Sequence, residues 1–198
     1  MTPLFGLVLA GGRSRRMQAD KAALAYGARP QLAEAFDLLG RHVHRAWISV
    51  RADQAGEPLR GGYPQIVDGT AGRGPIAGII AAQAQHPEAA WLVLACDLPQ
   101  LDDATLAELV AQRDANRLAT AFRSRHDGLP EPLCAIYEPQ SREAILADVS
   151  AGRHCPRKFL LEHDARLLEP VSAAALDNAN TPEDAAATRA ALGARGAA

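Results

Sequence analysis

Gly11 and Gly12 end an apolar run, Leu4 to Ala10, and the nine residues after them carry Arg13, Arg15, Arg16 and Lys21. Paired glycines let a backbone come close to a ligand because no Cβ intervenes. The N–H groups of such a turn favour an anion. Four cations beside it make the expected anion polyvalent, most simply a triphosphate. An ordinary strand-to-loop turn with solvated arginines is the competing reading, and two acids downstream count against it. Asp68 closes the short run Gln65 to Asp68, and Asp97 follows the longest one, Trp91 to Cys96. An acid directly after a strand buried on both faces is costly unless it meets a cation or hydrogen-bond donors. Magnesium held by one carboxylate, substrate phosphates and waters suits Asp97. An Asx-type turn into Leu98-Pro99 suits it equally, and spacing does not choose between them.

Other chemistries find no footing. A Walker loop needs Gly-x4-Gly-Lys-Ser/Thr, but Met17 stands five residues beyond Gly12, and Gly-x-Gly-x-x-Gly is absent as well. The six histidines lack metal-ligand spacing, and no Ser-His-Asp or Cys-His constellation can be assembled.

The elements that must position these groups follow from hydrophobic period. Leu4 to Ala10, Trp47 to Val50, Gln65 to Asp68 and Trp91 to Cys96 read as strands; Pro30 to Val43, Ile76 to Gln85 and Asp102 or Asp103 to Gln112 read as helices. A Gly/Pro-rich link, Gly56 to Pro64, separates the second and third strands. This rhythm predicts an α/β fold: one doubly wound, mostly parallel sheet. In such a sheet ligands bind beyond the carboxyl ends of the strands, where Gly11-Gly12, Asp68 and Asp97 all fall. Leu118 to Phe122 and Leu133 to Tyr137, around a polar turn, predict an antiparallel excursion at one edge. Ser141 to Val149 and Lys158 to Glu162 read as helices, and Arg166 to Leu168 as a last strand. Thr181-Pro-Glu-Asp184 is a helix start with a threonine cap, proline in the first helical position and two carboxylates in the first turn. That Ala-rich helix is predicted to end near Gly193.

The 198 residues fit one domain, with 48% hydrophobic and 22% charged residues as in an ordinary globule. A net charge of −2 gives no general attraction to nucleic acid or to an anionic membrane, so neither is expected as a partner. Cys96, Cys134 and Cys155 are odd in number and widely spaced, which predicts no disulfide framework, no zinc and a reducing, cytoplasmic setting. The start is a short strand with no basic region before it, unlike a signal peptide. A monomer or weak homo-oligomer is expected.

The segment Leu-Ala-Gly-Gly-x-Ser-x-Arg-Met-x-x-Asp-Lys, from Leu9 to Lys21, resembles the opening of the MobA-like nucleotidyltransferases, the molybdenum cofactor guanylyltransferase family. Gln18 stands where that family usually has glycine. Ala95-Cys-Asp97-Leu-Pro resembles the family's metal-binding strand end. Asp68-Gly-x-x-Gly-x-Gly-Pro75-Ile-Ala-Gly78 is similar to its Asp…Gly-Pro-Leu-Ala-Gly segment, and Asn178-Ala-Asn180-Thr-Pro-Glu to its Asn-x-Asn-Thr-Pro-Glu. The likeness runs from about Leu4 to Asp184 and implies a Rossmann-like nucleotidyltransferase fold. It divides residues 1–198 into a nucleotide-binding half to about 112, an acceptor half over about 113–184, and a C-terminal helix and tail, 185–198.

What the resemblance implies about residues is specific. Leu9, Ala10 and Gly11 hold base and ribose through main-chain groups. Lys21 meets the triphosphate, which the charge of the loop itself also suggests for Gly12, Arg13 and Arg16. Asp68 contacts the nucleotide, and Asp97 ligates Mg2+. Asn178 and Asn180 lie near acceptor and metal, and the cations of Arg153-His-Cys-Pro-Arg157-Lys158, Arg157 and Lys158 among them, are candidates for the acceptor's phosphate or for a solvated helix start. The implied reaction is magnesium-dependent transfer of GMP from GTP to the phosphate of molybdopterin, releasing pyrophosphate. Cytidylyl transfer from CTP to the same cofactor or another phosphorylated small molecule, and a nucleotide-binding module without turnover, remain as alternatives.

Overall fold

Alternation along two strands decides the layering. The computed structural model describes residues 2–12, 20–69, 74–172, 174–179 and 181–196. Within them, β1 (Leu4–Leu9), β2 (Ala46–Val50), β3 (Gln65–Val67), β4 (Ala90–Ala95), β5 (Ala119–Arg123), β6 (Pro130–Tyr137) and β7 (Ala165–Leu168) form one sheet in the order β3-β2-β1-β4-β6-β5-β7. The helices are α1 (Gln31–Gly40), α2 (Pro58–Gly61), α3 (Pro75–Gln85), α4 (Asp103–Ala111), α5 (Ser141–Ser150), α6 (Pro156–Glu162) and α7 (Pro182–Gly196). Successive strand side chains point to opposite faces. Leu92 and Leu94 of β4 therefore join Leu32 and Leu39 of α1 and Leu106 and Leu109 of α4 in one core. Trp91 and Val93 join Ile76 and Ile79 of α3, Ile145 of α5 and Phe159 of α6 in the other. A strand that is apolar at every position is what two covered faces require.

Pairing is parallel among β1 to β4 and between β5 and β7, whereas β6 runs antiparallel to both β4 and β5. The antiparallel strand expected in the second half is therefore present, but it lies inside the sheet, between β4 and β5, with β7 adding in parallel beyond β5. Chain order reverses about β1, which has β2 on one side and β4 on the other. That reversal leaves a crevice at the carboxyl ends of β1 and β4, the place where an open α/β sheet takes its ligand.

Local chemistry fixes several helix starts. Asp102 caps α4, its Oδ1 accepting from the Thr105 amide at 2.9 Å and the Thr105 hydroxyl at 2.6 Å. At α7 the Asp184 amide donates to Thr181 Oγ1 at 3.1 Å and the Thr181 amide to Asp184 Oδ2 at 2.9 Å, a reciprocal capping box. Glu138, buried at the end of β6, is held by both arms of Arg113 at 2.6 and 2.7 Å. Among the described residues no helix is long and apolar enough to cross a membrane.

Candidate active site

A cleft of about 1100 Å3 opens at the carboxyl edge of β1 to β4. Leu9, Ala10, Gly11 and Gly12 line it from β1, Arg51 from β2, Asp68 from β3, and Asp97 from β4. Lys21 lines it from the turn after Asp20. Arg13, Arg16, Gln18 and Asn180 lie outside the described residues.

Lys21 and Asp97, remote in sequence, meet on the cleft wall with Nζ 2.9 Å from Oδ2. Both side chains keep about a fifth of their surface exposed, 20% and 21%, so they are reachable from the cleft. The other carboxylate oxygen of Asp97, Oδ1, is buried without a hydrogen-bond partner among the described residues. An orphaned carboxylate oxygen is expensive in a folded protein and calls for a cation. No group of three or more His, Cys, Asp or Glu gathers anywhere among the described residues. Asp97 could give one carboxylate to a divalent cation whose remaining ligands come from substrate and water.

Asp68 accepts the Ser49 hydroxyl at 2.6 Å. Burial pushes its carboxyl above the ordinary carboxylate range, against the pull of Ser49 and of the Arg51 charge. A folded-state pKa above the unfolded one means the folded protein is stabilised by a proton there, and that stability is lost as pH rises through the raised value. Asp68→Asn, which stands in for the protonated form, is thus expected to be more stable than the parent at neutral pH. The difference should close as pH falls through the raised value toward the ordinary carboxylate one. Urea midpoints measured at neutral and acid pH check this, and identical midpoints at neutral pH would contradict it.

The final glycine of the Gly74-Pro75-Ile-Ala-Gly78 segment has a packing reason. A Cβ at Gly78 would lie 2.4 Å from Ser49 Oγ and 2.9 Å from Leu9 Cδ2. Only glycine lets α3 press onto the strand ends that hold Ser49 toward Asp68. Gly78→Ala is expected to cost about 1–3 kcal/mol by overpacking, seen as a lower urea midpoint with an unchanged slope. Adding Ser49→Ala should recover part of it, since the nearest clash is with that hydroxyl.

Cys96, next to Asp97, is no nucleophile: burial pushes its thiol up to about 12. The backbone carbonyl of Asp97 accepts from the Ala179 amide at 3.0 Å, which ties the chain around Asn178 to the end of β4.

A second groove, about 580 Å3, is lined by Asp127, Glu131, Arg157, Asp177 and Asn178 among others. It thus brings Asn178 and Arg157 together. Arg157 lies 3.2 Å from Asp127 and 3.4 Å from Glu131, so two carboxylates already meet its charge. His126 contacts Asp177 at 2.7 Å, and that carboxylate raises the imidazole pKa. Lys158 is exposed on α6 and does not line either cavity.

Three residues that line the cleft, Ser49, Arg51 and Asp20, and the buried Arg60 that pairs with Asp20 were not singled out from sequence. Arg51 follows β2 directly, so the strand-end rule that marks Asp68 and Asp97 also marks it. Asp20 stands beside Lys21 in the opening motif. Arg60 carries no local signal, because its partners are remote in sequence.

Residues 6–169 match the family model described as the MobA-like NTP transferase domain. A molybdenum cofactor biosynthesis bifunctional protein of Synechocystis is 37% identical over 92% of this chain, and the chain spans only 53% of that protein's length. A probable molybdenum cofactor guanylyltransferase of Trichormus variabilis is 30% identical over 94% of the chain and 90% of its own length. The crystal structure of molybdopterin-guanine dinucleotide biosynthesis protein A from Archaeoglobus fulgidus superposes with a TM-score of 0.79 at 20% identity, over 96% of this chain and 99% of that one, a likeness of fold. With the family model spanning most of the sheet and the strand-end cleft, the chain belongs to the MobA-like NTP transferase family.

Proposed function

We propose that this chain transfers GMP from GTP to the phosphate of a molybdopterin-type acceptor and releases pyrophosphate. The reading is carried by one observation: an ammonium and a carboxylate from distant segments, Lys21 and Asp97, meet 2.9 Å apart on the wall of a cleft that Gly11 and Gly12 also line. The names of the curated relatives agree with it.

The acceptor is a phosphate monoester, whose second pKa near about 6 leaves its oxygen anionic at neutral pH. That oxygen attacks the α-phosphorus of GTP, and the bond from the α-phosphorus to the bridging oxygen breaks. Pyrophosphate departs with the electron pair, and the new bond joins the two substrates through a pyrophosphate link. No general base is needed. Positioning and charge neutralisation are then the protein's work.

Main-chain groups of Leu9, Ala10 and Gly11 would seat base and ribose, and Asp68 would orient the nucleotide. Gly12, Arg13, Arg16 and Lys21 would meet the phosphates, with Lys21 and Arg16 balancing charge on the departing pyrophosphate. Asp97 would hold the magnesium ion, which when bound supplies further neutralisation of phosphate charge. Asn178, Asn180, Arg157 and Lys158 would serve the acceptor. The first 112 residues or so act as the nucleotide half, and the rest to about residue 184 as the acceptor half.

The test is incubation of the purified chain with GTP or CTP, magnesium and molybdopterin, followed by mass analysis and a pyrophosphate assay. A GMP adduct formed with GTP, and little product with CTP, is the expected result. Product from CTP alone would reassign the base. Magnesium-dependent GTP binding with no adduct would make the chain a nucleotide-binding module.

A further inference from the structure

Arg60 carries a full charge, yet its side chain is 0% exposed. It projects from α2, a helix of four residues, and its partners lie far away in sequence. Nη2 and Nε donate to the Ala10 carbonyl at 2.8 and 3.2 Å. Nη2 also reaches Asp20 Oδ1 at 3.0 Å, and Nη1 lies 2.7 Å from Asp20 Oδ2. Nη1 pairs with Glu57 of its own segment as well. Enclosing a guanidinium costs several kcal/mol unless its donors are used, and here they are used on the cleft's own backbone.

The choice of partners is informative. Ala10 immediately precedes Gly11, and Asp20 immediately precedes Lys21. Asp20 Oδ1 accepts from the Ala22 amide at 3.0 Å, shaping the turn that carries Lys21. One buried guanidinium thus sets the Gly11 peptide and the Lys21 turn in relation to each other. Because a peptide is trans and planar, fixing the Ala10 carbonyl turns the Gly11 amide to the opposite side. Arg51 repeats the device one residue on, with Nη1 donating to the Gly11 carbonyl while Nε and Nη2 grip Asp53 at 2.9 and 3.0 Å. Among the described residues neither the Gly11 nor the Gly12 amide donates to a backbone acceptor.

We propose that Arg60 is a positioning residue for the nucleotide: it locks the Gly11 amide and the Lys21 ammonium into one preorganised receptor for a polyphosphate. The inference rests on the triphosphate reading of the cleft. A guanidinium that served only to hold the core together would pair with framework elements. This one pairs with the two segments that carry the candidate phosphate contacts.

Arg60→Ala would leave the Asp20 charge without its partner and an empty space where the side chain lay, and is expected to fold poorly. Two other variants avoid that. Arg60→Met with Asp20→Asn removes both charges at similar volume, an exchange that is often neutral for stability. Asp20→Asn alone keeps the guanidinium and removes only the opposing charge. Each is melted, titrated with GTP and magnesium by calorimetry, and assayed for kcat and KM. The expected result for the double variant is a melting temperature near that of the parent, with Kd and KM for GTP raised about tenfold or more. Asp20→Asn should show a smaller rise in the same direction. Unchanged GTP affinity in either folded variant would overturn the proposal.

Hydrogen exchange separates failure of the positioning role from failure of the cleft assignment. Faster exchange at Ala22, Ala23 and Leu24, whose amides are bonded within the turn that carries Lys21, is expected in the double variant whether or not GTP is present. If the parent binds no GTP while this acceleration is seen, the triphosphate reading falls and the clamp stands. If the parent binds GTP and exchange is unaltered in the variant, the clamp falls.

Discussion

Asp97→Ala is expected to lower turnover at least about a hundredfold while leaving the fold intact. Removing one electrostatic contact to a reacting phosphate typically raises the barrier by about 2.7–4 kcal/mol. Stability should not follow, and the reason is structural. Among the described residues Oδ1 is buried with no hydrogen-bond partner, so removing the carboxylate takes away a group whose burial the protein leaves uncompensated. Oδ2 pairs with Lys21, whose side chain is 20% exposed and can turn to water when the acid is gone. A residue kept at a cost to the fold is best explained by what it binds. Asp97→Asn, which preserves shape, should lose nearly as much activity, because an amide does not replace a charged ligand. The measurement is kcat beside a thermal melt. Turnover within tenfold of the parent in a folded Asp97→Ala chain would remove Asp97 from the reaction.

Local patterns carried most of the framework, and contacts between distant segments carried what they missed. The unbroken apolar run Trp91 to Cys96 could only be a strand covered on both faces, and the two cores on either side of β4 bear that out. Thr181-Pro-Glu-Asp184 announced a helix start, and the observed capping box uses Thr181 and Asp184. Four-residue α2 is too short to show a period and sits within what read as a Gly/Pro-rich link. Strand β6 begins at Pro130, ahead of the apolar run at Leu133, because Glu131 is buried in it despite its charge. Its place inside the sheet follows from pairing with both β4 and β5, which local composition does not disclose.

The site divides the same way. Gly11, Asp68 and Asp97 stand at strand ends, which line the crevice of any open α/β sheet, and all three line the cleft. The same rule would have found Arg51. Arg60 was beyond reach: an arginine between Leu59 and Gly61 reads as solvated until Ala10 and Asp20 are seen around it. The acceptor side was harder, since cations in a row do not disclose which way they point. Arg157 faces the second groove and is already matched by Asp127 and Glu131, whereas Lys158 faces water.

Lys21→Ala is likewise expected to lose at least about a hundredfold in turnover, by removing a positive charge opposite the developing pyrophosphate. If Lys21 served only as the ion-pair mate of Asp97, the effect would be small, because partly exposed pairs contribute about 0–1 kcal/mol to stability. Lys21→Arg should not restore the rate: a planar guanidinium is no substitute for a compact ammonium held 2.9 Å from Oδ2. The decisive comparison is the double variant. Two groups that act on one array of phosphate charges do not lose their effects independently. Lys21→Ala with Asp97→Ala should therefore fall far less than the product of the two single losses. Melting temperatures should stay close to the parent in all three chains, since neither side chain belongs to the core. Full additivity of the two losses would place the residues at separate steps or separate sites, and the shared-cleft mechanism would then have to be abandoned.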